Sequence, residues 1–276
     1  MLNVIANKIS ELKSELSYRA DLFKHAPKLP ALESSDRKIV DTLKKEGVYV
    51  TSLKELGLSS TANLLQAAQT YLSTMARVNN NYEAEKLPQI YTVTDLPEFF
   101  HWGREPKLLS IVENYIGLPI TFHGVHLRKD LPNKNQFGTL LWHKDSEDRR
   151  IIKIIVYLSD VEEHHGPFEY VPLPLTSPSS LSYYRIYHKL WQSGYLGINN
   201  EQLKEIIPKE NWKSCLGPAG TVIFVDTKNV LHHGTLKTEE RSALFFVYTA
   251  NPPKRPELCT QYWDDTFAKP EILCKT

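Results

Sequence analysis

Cysteine is scarce in this chain: Cys215, Cys259 and Cys274 are the only three among 276 residues. Their spacing fits neither a zinc site nor a disulfide framework. Thiolate metal chemistry is thereby excluded, and the three read as free thiols in a reducing cytoplasm. No apolar run approaches the ~18 residues that cross a bilayer, so membrane insertion is not expected. Residues 1–10 contain Asn and Lys and lack an apolar stretch, so they do not read as a secretion signal. Neither sign of charge is in surplus: 33 Lys and Arg stand against 32 Asp and Glu, a formal net charge of +1. That balance gives no general field for nucleic acid or an anionic membrane surface. Histidine is the residue that is present in number, with ten copies and several of them adjacent.

The length suits one domain, 1–276, in three parts. Residues 1–118 read as a mostly helical buttress. Val4, Ile5, Ile9, Leu12 and Leu16 recur at helical spacing. Ser35-Asp36 can cap a second helix that carries Ile39, Val40 and Leu43 and stops at Gly47. Residues 48–50 form a short β-like run, and Leu64, Leu65, Ala68, Tyr71, Leu72 and Met75 stripe a third helix. Residues 119–250 have another texture. Segments 120–127, 137–142, 151–158, 221–225 and 243–248 are short, rich in β-branched and aromatic residues, and punctuated by polar residues, Gly or Pro. Strands in series without alternating helices exclude a parallel α/β fold and predict a sandwich or jelly roll. An insertion at about 173–212, with a helix near 201–207, is a candidate lid, and 251–276 is a tail.

Three features carry chemistry. In Trp142-His143-Lys144-Asp145, residues i and i+2 of a strand share a face, so His143 and Asp145 would project together as two ligands of a divalent metal. The second is Leu231-His232-His233-Gly234-Thr235, about ninety residues downstream. One more imidazole from it would complete the two-His-one-carboxylate set of non-haem Fe(II) oxygenases; zinc more often takes a third His or a Cys. The third is Arg241, at the start of an apolar strand. A buried guanidinium needs an anionic partner, either a ligand carboxylate or a structural Asp or Glu.

Taken together, these stretches resemble the phytanoyl-CoA dioxygenase-like family of Fe(II)/2-oxoglutarate oxygenases. The resemblance rests on residues 140–148, on 156–172 with its Ser159-Asp160-Val161 and Gly166-Pro167 signals, and on 218–226 running on to His233-Gly234-Thr235 and Arg241-Ser242-Ala243. It implies a mainly β fold with a helical N-terminal region, a double-stranded β-helix (jelly roll, cupin-like). It implies Fe(II) held by His143, Asp145 and His233, with His232 as the alternative. It implies 2-oxoglutarate and O2 as co-substrates, the former anchored by Arg241 and assisted by Thr235. The activity implied is hydroxylation of a small-molecule substrate with release of succinate and CO2. Asp145 fills the place a halogenase would need vacant. The rival readings are a non-catalytic jelly-roll binding protein and a cupin-type enzyme using another metal.

Other polar residues have plainer expectations. His164 and His165 read as turn residues beside Gly166-Pro167. Lys153, within an apolar strand, is either a snorkelling lysine or a second carboxylate partner. Glu147, Asp148, Arg149 and Arg150 read as a solvated charge run. Tyr183, Tyr184, Tyr187 and Trp191 either touch substrate or pack the lid.

Overall fold

The computed structural model describes residues 2–75 and 87–271, with side chains from Ser10 onward. Val4, Ile5, Ile9 and Cys274 therefore fall outside the described side chains. Among the described residues, nine strands occur in chain order: β1 (Val48–Ser52), β2 (Gln89–Thr92), β3 (Ile120–Asp130), β4 (Ile152–Tyr157), β5 (Phe168–Val171), β6 (Lys213–Cys215), β7 (Thr221–Asp226), β8 (Leu231–Gly234) and β9 (Arg241–Ala250). They form a six-stranded sheet, β1-β7-β4-β9-β3-β2, and a three-stranded sheet, β6-β5-β8. Every pairing is antiparallel. The result is the expected jelly roll, with β1 and β2 drawn from the N-terminal part as its two outer strands.

β4 shows why its sequence reads as a nearly continuous apolar run. Ile152, Ile154 and Val156 join the cluster that the large sheet forms with the N-terminal helices. The alternate Ile155 and Tyr157 join a second cluster, between the sheets, with Phe168 and Tyr170 of β5. A strand covered on both faces needs no polar alternation. Lys153 is the exception on that inner face, and it matters below.

The helices packed on the outer face are those expected, with shifted ends. Helix Ser34–Glu46 stops at Gly47, whose φ is 80°. A Cβ there would also come within 2.2 Å of Val230 Cγ2, so only glycine fits. Asp36 lies inside the first turn rather than capping it, buried and 3.4 Å from Lys107 Nζ. On the first helix, Leu2–His25, the described stripe residues Leu12 and Leu16 are 62% and 59% exposed. Polar ties hold it, with Arg149 on Ser14 Oγ at 2.7 Å and His25 Nε2 on Glu113 at 2.8 Å.

Two expectations are corrected. Residues 137–142 are not a strand: Gly138, with φ 51°, opens a 3-10 turn, Gly138–Leu140. Trp142 and His143 then enter single bridges with Ile198 and His232. The insertion is not a lid over the cavity between the sheets. Its helices, Leu181–Gln192 and Asn200–Lys204, put Ile186, Leu190 and Leu203 into a cluster with Trp142 and Trp212, behind the histidine-bearing segment. Tyr184 and Trp191 face outward, 66% and 62% exposed. No described helix is long and apolar enough to cross a membrane.

Candidate metal centre

His143 and His232 meet because the backbone pairs them. They exchange N–H···O bonds of 3.0 and 3.1 Å, which sets their rings side by side with centroids 4.4 Å apart. The next turn brings in Asp145, whose N–H donates to Thr227 O at 3.0 Å. The ligating atoms of His143, Asp145 and His232 all lie within 4.8 Å of one another.

Hydrogen bonding shows which nitrogens are available. His143 Nδ1 is 2.7 Å from Leu141 O, and His232 Nδ1 is 3.0 Å from Val230 O. A carbonyl only accepts, so each Nδ1 carries the proton and each Nε2 keeps its lone pair. That is the tautomer a metal-binding histidine needs. Burial holds both rings below the ordinary imidazole value, His232 down to about 3, which keeps them neutral. Burial pushes the Asp145 carboxyl up, but the Lys153 ammonium 2.6 Å away outweighs it and holds the group ionised.

The expected distal ligand, His233, is placed elsewhere, and this is a correction. Its Nδ1 donates to Leu140 O at 2.9 Å, and its Nε2 lies 2.9 Å from Glu169 Oε2. Both nitrogens are engaged by protein groups, and His233 is not among the residues whose ligating atoms converge with those of His143 and Asp145. The ring stacks on Trp142 with centroids 3.8 Å apart. The cause is strand alternation: β8 sends His232 and His233 to opposite faces, and its register with β5 sets His233 against Glu169. Burial raises the Glu169 carboxyl and the bond to His233 lowers it, leaving it below the usual range.

The same cavity, about 410 Å³, has a cationic end. Arg241 lines it and sits opposite Asp130 in the β3–β9 register. Arg241 Nε and Nη2 donate to Asp130 Oδ2 at 3.2 and 2.6 Å, and Nη1 donates to Gly166 O. Asp130 Oδ1 accepts from Arg128 Nε at 2.7 Å, and Arg128 Nη2 donates to Thr139 Oγ1 at 3.1 Å. Lys237 is buried beside this group, and its Nζ has no hydrogen-bond partner among the described residues. Burial brings that amine down to about 8. Three cations thus surround one carboxylate, leaving a surplus that a second anion would satisfy. Thr235 is not part of this end. Its hydroxyl donates to Pro167 O at 3.3 Å, and Thr139 supplies the hydroxyl lining the cavity. Arg128 and Asp130 escaped the sequence reading, since only the β3–β9 pairing brings them to Arg241, and Thr139 reaches Arg128 from the 3-10 turn.

Opposite the cationic end, Lys153, Glu147, Thr227 and Tyr262 line the cavity. Thr227 Oγ1 is buried without a hydrogen-bond partner among the described residues. Glu147 and Asp148 are buried rather than a solvated run. Lys144 points away, its Nζ donating to Asn229 O at 2.7 Å. Leu87, Ile90, Gln261 and Phe267 also line the cavity, so the tail, not the insertion, contributes to its wall.

No protein-family model matches the sequence, and no curated protein matches it. Solved structures do match in fold. HygX from Streptomyces hygroscopicus, solved with nickel and 2-oxoglutarate bound, aligns over 80% of this chain and 88% of its own, with TM-score 0.52 and 17% identity. EctD from S. alaskensis, solved with 2-oxoglutarate and 5-hydroxyectoine, aligns over 80% of this chain and 77% of its own, with TM-score 0.55 and 18% identity. SnoN, a non-heme alpha-ketoglutarate-dependent epimerase from nogalamycin biosynthesis, aligns over 79% of this chain and 83% of its own, with TM-score 0.50 and 16% identity. The chain shares their jelly-roll architecture.

Proposed function

We propose that this protein is a single-domain, non-haem Fe(II)/2-oxoglutarate-dependent dioxygenase that hydroxylates a small-molecule substrate, with succinate and CO2 as co-products. One observation carries the reading. Two imidazole lone pairs and a carboxylate converge in a cavity whose other end holds surplus buried positive charge. His143, Asp145 and His232 would hold the iron, and two nitrogens with one carboxylate oxygen suit Fe(II) with positions left open. A carboxylate as third ligand is less typical of a structural zinc site. Iron with 2-oxoglutarate and O2 supplies the oxidising chemistry when bound.

The protein's own part is binding and orientation. Arg241, braced by Asp130, receives the distal carboxylate of 2-oxoglutarate, with Arg128 and Thr139 beside it. Such charge-assisted bonds are short and directional, and they fix which end of the diacid reaches the histidines. Phe245, Val247 and Ile155 line the space between the two ends and exclude water from it. The neighbours solved with 2-oxoglutarate support the co-substrate, and HygX solved with hygromycin B supports a small-molecule substrate. Free Cys215 and Cys259 suit a reducing, cytoplasmic setting.

The test is anaerobic addition of Fe(II) and 2-oxoglutarate, which should give a visible charge-transfer band. The band should vanish in His143→Ala, Asp145→Ala and His232→Ala. A well-folded wild-type protein without the band would sink the proposal. Release of succinate stimulated by Fe(II), but not by Zn2+ or Mn2+, separates it from a cupin enzyme using another metal.

A further inference from the structure

Lys153 is the one charged residue of β4, the third strand of a six-stranded sheet. Its neighbours Ile152 and Ile154 are fully buried on the opposite face. It pairs with Val225 of β7 on one side and Val247 of β9 on the other. A lysine so placed leaves the sheet on its inner face. Its ammonium enters the cavity and lies 2.6 Å from Asp145 Oδ2. The other oxygen of that carboxylate, Oδ1, lies 3.8 Å from His143 Nε2. The two oxygens therefore have different neighbours: one is held by an ammonium and the other faces the imidazole pair.

A carboxylate with both oxygens free can chelate a divalent ion and occupy two of its positions. A carboxylate with one oxygen held by a cation can give the ion only the other. We propose that Lys153 is a positioning residue that restricts Asp145 to one-oxygen ligation, so that positions remain for the keto acid and for O2. Groups that hydrogen-bond a ligating carboxylate commonly set its orientation in this way. The arrangement also has a cost: an ammonium beside a divalent cation repels it, so Lys153 weakens the metal site while keeping it open. The inference rests on the proposed iron and 2-oxoglutarate reading and goes beyond it in assigning this lysine.

The two consequences run in opposite directions, which makes the test specific. Co2+ serves as the probe, with wild type, Lys153→Met and Lys153→Arg compared by visible absorption of the bound ion and by calorimetry. In Lys153→Met, Co2+ should bind about tenfold tighter, while 2-oxoglutarate should bind the Co2+-loaded protein at least tenfold more weakly; changing a group that orients a metal ligand commonly moves affinities by ~10–100-fold. The Co2+ spectrum should change in Lys153→Met and return in Lys153→Arg. A lysine with only a structural role would shift the melting temperature and leave the spectrum and the ratio of the two affinities alone. That result, or weakening of both ligands in Lys153→Met, would overturn the proposal. If wild type takes up no Co2+, or if His232→Ala takes it up equally well, the underlying metal reading fails instead.

Discussion

Among the described residues, two places bring a pair of imidazoles and a carboxylate within 4.8 Å: His143, Asp145 and His232, and His164, His165 and Glu239. Composition does not distinguish them, but their hydrogen bonds do. In the first, both Nδ1 atoms donate to carbonyls and both Nε2 lone pairs are free. In the second, His165 Nδ1 accepts the N–H of Glu162 at 3.0 Å. Its proton must then sit on Nε2, which points at Glu239 Oε2, 3.4 Å away. That ring donates to the carboxylate and has no lone pair left to share with a metal. Tautomer, fixed by one backbone group, separates a ligand set from a hydrogen-bonded turn.

The largest expected effect tests that separation directly. His232→Ala should weaken Co2+ or Fe(II) binding more than a hundredfold, as a metal titration would measure. Retained binding would erase the distinction between the two clusters. Next comes His233→Ala, which removes one partner of a buried pair and should cost about 3 kcal/mol in urea unfolding. Metal affinity should stay within a fewfold of wild type, since both His233 nitrogens are engaged by Leu140 and Glu169. A third environment sharpens the comparison through pH. His123 and His126 are held down to about 4 by burial, against ~6.5 in the unfolded chain. The unfolded state binds more protons between those values, so stability falls as pH drops from about 6.5 to 4. Each ring accounts for up to about 3 kcal/mol of that loss, and His126→Gln should flatten the slope of the urea midpoint against pH. The smallest effect belongs to His164→Ala, a half-exposed turn residue. Stability should change by no more than about 0.5 kcal/mol, and the metal-to-protein ratio should not change.

Much of the fold was readable because its signals are local. Strands at 120–127, 151–158, 221–225 and 243–248 announce themselves by β-branched and aromatic runs, and Gly47 ends its helix for a reason visible in one residue. The His143–Asp145 juxtaposition was expected from strand alternation, but it arises from a single bridge at His143 and the bond of Asp145 N–H to Thr227 O. The choice between His232 and His233 was not legible, because it depends on which face β8 turns inward, and that is set by pairing with β5 some sixty residues away. The same holds for the brace on Arg241: Asp130 reaches it only through the β3–β9 register. The insertion was misjudged as a lid because length and aromatic content say nothing about which side of a sheet a segment covers. Trp142 and Ile198 decide that by bridging behind the histidines.

Trp142 has one more consequence. Its indole lies face to face with the His233 imidazole, 3.8 Å between centroids, and donates Nε1–H to Asn200 Oδ1 at 2.8 Å. It is also the residue directly before His143. A buried indole stacked on an imidazole is an emitter with a built-in quencher. Tryptophan fluorescence is expected to change on addition of Co2+, and loss of that change in Trp142→Phe would identify this indole as its source.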